Sequence, residues 1–118
     1  MIPNNWERTD VKREPAQLGK PLVDPAEWYP EDSNGSDAWI YTLSESELGE
    51  IEAAVAGIEA RGLDIKDITK VDFPLPGFAA ALDDVRGELL DGRGFALIRG
   101  LDLERLTKPQ FAAAFWGI

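Results

Sequence analysis

Apolar residues fall at helical spacing in three stretches of this chain and show no period over its first 37 residues. The clearest stretch holds Leu48, Ile51, Val55 and Ile58, spaced by three, four and three, which is one face of a helix. Ser44 stands where an N-cap belongs, and Glu47 three residues on completes a capping box. Glu45, Glu50, Glu52 and Glu59 lie off the stripe. Arg61 suits the last turn of the helix dipole, and Gly62 suits the left-handed position after it. A second helix is predicted from about Phe78 to Asp91, with the stripe Phe78, Leu82, Val85 and Leu89 and with Gly92 as its stop. A third starts near Thr107 as N-cap, tolerates Pro109 in its first turn, and takes Phe111, Ala112, Phe115 and Trp116 as its apolar face.

Between the helices, the apolar run at 95–98 predicts a short buried strand, and Ala38-Trp39-Ile40-Tyr41 predicts either a short strand or an extended entry into the first helix. Residues 63–77 read as a connector, because Phe73-Pro74-Leu75-Pro76-Gly77 cannot lie inside a helix. The expected division is an extended, Pro-rich arm over 1–37 and a helical and strand-bearing part over 38–118. Within the arm, Trp28-Tyr29 offers an aromatic anchor, and Asp32-Ser33-Asn34-Gly35-Ser36-Asp37 is a turn cluster. The fold class is therefore α+β, with two to three amphipathic helices and one or two short strands.

Length and charge narrow the function. At 118 residues there is room for one small domain. The net charge of −10 argues against nucleic acid and against an anionic membrane surface as partners. No apolar stretch reaches the roughly 20 residues that span a bilayer, and the polar start at 1–14 lacks a secretory h-region, which together favour the cytoplasm. There is no Cys and no His. Thiolate chemistry, His-based triads, His zinc sites and the two-His-one-carboxylate iron triad are thus excluded within this chain.

The remaining motifs have plain readings. Gly92-Arg93-Gly94 follows a helix and precedes a strand, the reverse of the order in a phosphate-binding loop. In Asp32 to Asp37 glycine falls at the fourth position, not the sixth that a calcium loop uses. Asn34-Gly35-Ser36 matches a glycosylation sequon without a secretory context. Asp83-Asp84 and Asp91 raise the idea of a carboxylate pair, but a solvated helix face explains them. Arg99 closes the predicted strand, where a structural ion pair is the ordinary use of an arginine.

The stretch Asp91-Gly92-Arg93-Gly94-Phe95-Ala96-Leu97-Ile98-Arg99-Gly100-Leu101 resembles the early strand of TauD/TfdA-like oxygenases. Thr107 to Trp116-Gly117 resembles the helix that follows in that family. Ile68-Thr69 and Phe73-Pro74-Leu75-Pro76, with a helix on each side, resemble a bacterial and fungal branch of it. The resemblance covers roughly residues 38–118. It implies a double-stranded β-helix (jelly-roll) parent that uses iron(II) and 2-oxoglutarate to hydroxylate a small organic substrate. The family's iron ligands, a His-x-Asp/Glu pair and a distant His, and its cosubstrate arginine match no position here. No catalytic, cofactor-binding or metal residue is carried over, and Arg99 is not the cosubstrate arginine.

The resemblance therefore implies the N-terminal part of such an enzyme, truncated before the catalytic core and inactive alone, with the missing C-terminal portion or self-association supplying its contacts. The stop at Ile118, in mid-helix on an apolar turn, fits that expectation. The alternative is a small independent helical interaction module without catalysis, engaging a partner through the arm or through Phe111, Phe115 and Trp116.

Overall fold

The computed structural model describes residues 3–9 and 11–118. Its elements in order are a single helical turn α1 (Pro30–Ser33), strand β1 (Ile40–Thr42), helix α2 (Glu45–Arg61), two 3-10 turns (Ile65–Asp67 and Lys70–Asp72), helix α3 (Phe78–Asp91), strand β2 (Leu97–Arg99) and helix α4 (Lys108–Gly117). The class is α+β. The two strands form a parallel pair in which Ile40 faces Leu97, Tyr41 faces Ile98 and Thr42 faces Arg99. By contact the chain forms two compact units, Met1–Thr42 with Asp83–Arg99, and Leu43–Leu82 with Gly100–Ile118.

The second unit holds most of the buried apolar side chains. Leu48, Ile51, Ala54, Val55 and Ile58 of α2 are buried, as the stripe predicts. The Ser44 hydroxyl accepts from the Glu47 amide at 3.1 Å, and the Glu47 carboxylate accepts from the Ser44 amide at 2.8 Å. Gly62 closes the helix with φ +61°, a conformation that costs glycine nothing. The connector is not featureless: its two 3-10 turns bring Phe73 and Leu75 into the core. Glu50 of α2 caps the start of α3, accepting from the amides of Gly77 at 2.7 Å and Phe78 at 2.8 Å. The proline-rich segment cannot supply that cap itself, so α2 does.

The expected face of the third helix is corrected. Thr107 caps α4 as predicted, accepting from the Gln110 amide at 3.3 Å. The side chains that α4 buries are Ala113 and Ala114, while Phe115 and Trp116 are 76% and 57% exposed and Ala112 is exposed. Helix α4 packs on α2, and the position a Cβ would take at Gly117 is filled by the Phe73 ring. Small residues at 113, 114 and 117 permit that close approach; of the expected face Phe111 is half-buried, and Phe115 and Trp116 are left exposed.

The first unit is built differently. Its buried apolar side chains among the described residues are Ile40 and Val85, and with them lies a fully buried Glu88. Two further expectations shift here. The strand is Leu97–Arg99 rather than 95–98, and its alternation runs exposed, half-buried, exposed rather than buried throughout. Phe95 is instead a ring contact, 5.0 Å from Trp28 and 6.0 Å from Trp39 between centroids. Of the aromatic pair expected to anchor the arm, Trp28 makes this ring contact while remaining 48% exposed, and Tyr29 is exposed as well.

Candidate functional site

The densest polar cluster lies on α3 in the first unit. The predicted stripe of α3 places Leu89 inward, yet Leu89 is 46% exposed and Glu88 is buried. The reason is that Glu88 is fully satisfied. It accepts from Arg8 Nε at 3.0 Å, the Thr9 amide at 2.9 Å, the Thr9 hydroxyl and the Arg93 amide at 2.9 Å, and Arg93 Nε stands 3.3 Å away. A carboxylate with that many donors takes an apolar position without an unpaired charge. Burial pushes its pKa up, but the donors of Thr9 and Arg93 outweigh it and hold the group at about 2.

One helical turn earlier, Asp84 accepts from the Trp6 indole N–H at 2.7 Å and from Arg8 at 2.9 Å. These bonds, led by that of Trp6, lower its pKa. A carboxylate pair therefore exists on α3, but it is Asp84 and Glu88. Of the residues named from sequence, Asp83 and Asp91 are exposed and Asp84 is not simply solvated. Both members of the pair are ionised at neutral pH. Neither carries a proton to give, and both are occupied by donors, so the pair is not arranged for general acid–base work.

Arg93 completes the cluster. It donates to the carbonyls of Ala38 and Glu7, each at 2.8 Å, and its guanidinium lies 5.4 Å from the centre of the Trp6 ring. Arg99, the arginine singled out in sequence, is exposed at the end of β2. Gly92 and Gly94 form a turn, as the helix–glycine–strand order predicts, and Gly94 takes the left-handed conformation with φ +85°. The Asp32–Asp37 region is also a local turn: the Asp32 carboxylate accepts from the Tyr29 amide at 2.7 Å, and Gly35 has φ +81°.

In the second unit an open groove of about 520 Å³ lies between α2 and the connector. Ala53, Gly57, Val71, Pro74 and Pro76 give it apolar walls, and the Arg61–Asp72 ion pair at 2.9 Å marks its polar side. Glu50 also lines it, with both oxygens engaged by the amides of Gly77 and Phe78.

Among the described residues no group of three or more acidic side chains converges in a way that would hold a metal ion. With no His or Cys in the sequence and Glu88 enclosed by donors, the residues present do not fit an iron(II) centre. Among the described residues no helix is long and apolar enough to cross a membrane.

No protein-family model matches the chain. It is similar to the "Taurine hydroxylase-like protein SAT17" of Stachybotrys chartarum, 26% identical over 102 residues that make up 86% of this chain and 26% of that protein. It is similar also to the "FR-33289 synthase" of Streptomyces rubellomurinus, 29% identical over 93 residues, 79% of this chain and 27% of that protein. The chain thus spans about a quarter of the length of these relatives, and the two likenesses support a loose relation to TauD-like proteins.

Proposed function

We propose that this chain is the N-terminal part of a TauD/TfdA-like iron(II)/2-oxoglutarate-dependent oxygenase, an oxidoreductase that hydroxylates a small organic substrate. The observation that carries the reading is the alignment of 102 residues to a protein named taurine hydroxylase-like, of which they form 26%. The polar cluster and the groove fit a scaffolding role. Asp84, Glu88 and Arg93 spend their hydrogen bonds on the chain itself. Iron(II) and 2-oxoglutarate would be held by the remainder of the parent enzyme.

A second reading, a small interaction module without catalysis, is favoured by the exposed Phe115 and Trp116 of α4. One experiment separates the two. The polypeptide carrying this sequence is isolated from its source, its intact mass is measured, and it is incubated with iron(II), 2-oxoglutarate and oxygen. The expected result is a longer polypeptide that releases succinate, while the 118-residue chain alone releases none and binds no iron(II) stoichiometrically in anaerobic calorimetry. A polypeptide of this mass in a stable complex with another protein, without succinate release, overturns the oxygenase reading and supports the module.

A further inference from the structure

Residues 4–9 lack apolar periodicity, but the side chains that make contacts alternate. Asn4, Trp6 and Arg8 stand two apart, the spacing that puts side chains on one face of an extended segment. All three engage the structured elements of the first unit. Asn4 Oδ1 accepts from the Thr42 amide of β1 at 3.2 Å. Trp6 donates to Asp84, meets the Tyr41 ring edge-on at 6.2 Å and lies against the Arg93 guanidinium. Arg8 bridges Asp84 and Glu88 at 2.9 and 3.0 Å. The backbone is held too: the Glu7 amide donates to the Ala38 carbonyl at 3.0 Å, and the Glu7 carbonyl accepts from Arg93. Thr9 ends the run on Glu88 through its amide and its hydroxyl.

From these contacts we infer that α3 and β1 form a peptide-binding site, occupied in cis by residues 4–9, for an extended peptide with an amide, an indole and a guanidinium at alternate positions. The site's own side chains are Tyr41, Asp84, Glu88 and Arg93. Asp84 and Glu88 are one helical turn apart and share one face. Glu88 is fully buried with the strap docked, and removing the strap takes away three of its donors, two from Thr9 and one from Arg8. An occupant that encloses the carboxylate again without replacing those donors leaves a costly unpaired charge, so the site selects a cationic, donor-bearing occupant. The grip on Glu7 reads main chain alone, which is how an added strand is held at a sheet edge. Tethering raises the effective concentration of the strap, so it stays docked although the same segment as a free peptide binds far more weakly. The inference rests on these contacts and not on the proposed oxygenase parentage.

The test uses the full chain. A labelled peptide of residues 3–9 is titrated into the native chain and into its Arg8→Ala variant, with binding followed by anisotropy. The native site is filled, so the variant is expected to bind the peptide at least about tenfold more tightly, in line with the larger fraction of open sites. A peptide carrying Trp6→Ala and Arg8→Ala is expected to bind neither chain. In hydrogen exchange, amides of Ile40–Thr42 quicken in the Arg8→Ala variant and slow again on adding the native peptide, while amides of α2 stay as they were and report that the second unit is intact. If Arg8→Ala unfolds the first unit, Arg8→Lys keeps the charge, loses the two-carboxylate bridge and is titrated in its place. Equal binding to native and variant chains, or no binding to either at millimolar peptide, overturns the inference.

Discussion

The Glu88 carboxylate occupies the space that a Cβ at Gly92 would fill. Gly92 is buried one turn beyond Glu88, and its amide closes the helix on the Glu88 carbonyl at 3.0 Å. The glycine is therefore required for approach, not for a left-handed backbone. Gly92→Ala pushes the carboxylate out of its ring of donors, and moving an ionised group within a closed site is costly. The expected loss is about 1–3 kcal/mol, the usual range for overpacking. Urea melts check it, and a loss under about 0.5 kcal/mol, the range of an ordinary surface change, would show that the carboxylate has room to move.

In the second unit the cap and the stripe of α2 separate cleanly. Ser44→Ala removes an acceptor from an exposed helix start and should lower stability by about 1 kcal/mol. Ile51 is completely buried, and Ile51→Ala should cost about 2–4 kcal/mol. Equal small losses in denaturant melts would contradict the burial of that stripe.

The parts legible in sequence are those whose cause is local. Ser44, Glu47 and Gly62 mark α2 because caps act within three or four residues of the helix end. Thr107 marks α4 for the same reason. The polar cluster was not legible by that route. Hydrophobic periodicity passes over Glu88, because the donors that make its burial tolerable lie 79 and 80 residues away at Thr9 and Arg8. Position 88 falls three residues after Val85, on the buried side, so a charged residue in an apolar register was the available signal. The alternation of Asn4, Trp6 and Arg8 was the other. Side-chain size does not indicate burial on α4: its contact with α2 needs the small side chains of Ala113 and Ala114, and the rings of Phe115 and Trp116 stay exposed.

Acid should weaken both units, and the sign follows from the carboxylates. The Glu88 pKa is lowered from 4.5 to about 2 in the folded chain. A lowered folded pKa means that the stabilisation is fully present above the unfolded value and is lost as pH falls through the folded one. Asp72 behaves alike in the second unit, held at about 2 by the Thr69 amide and hydroxyl and by Arg61. Denaturation midpoints should thus be level above about pH 5 and decline steadily toward about pH 2. In Glu88→Gln the starting stability is lower and the acid decline is shallower, since the amide does not titrate. An identical acid slope in the two proteins would remove Glu88 from the explanation.

The two sides of α4 should answer substitution in opposite ways. Phe115 and Trp116 are largely exposed, so Phe115→Ser and Trp116→Ser should each change stability by less than about 0.5 kcal/mol, as surface changes do. They should also reduce the binding of an apolar dye, because they remove exposed aromatic surface. Ala114 is completely buried. Ala114→Leu forces three more carbons into a contact made for a methyl group and should cost about 1–3 kcal/mol. A core built on the aromatic rings would give the reverse, with the serine variants losing several kcal/mol, about the 3–5 kcal/mol of a truncated buried aromatic, and the leucine variant nearly native. Urea melts of the three variants, read beside dye fluorescence, distinguish these outcomes.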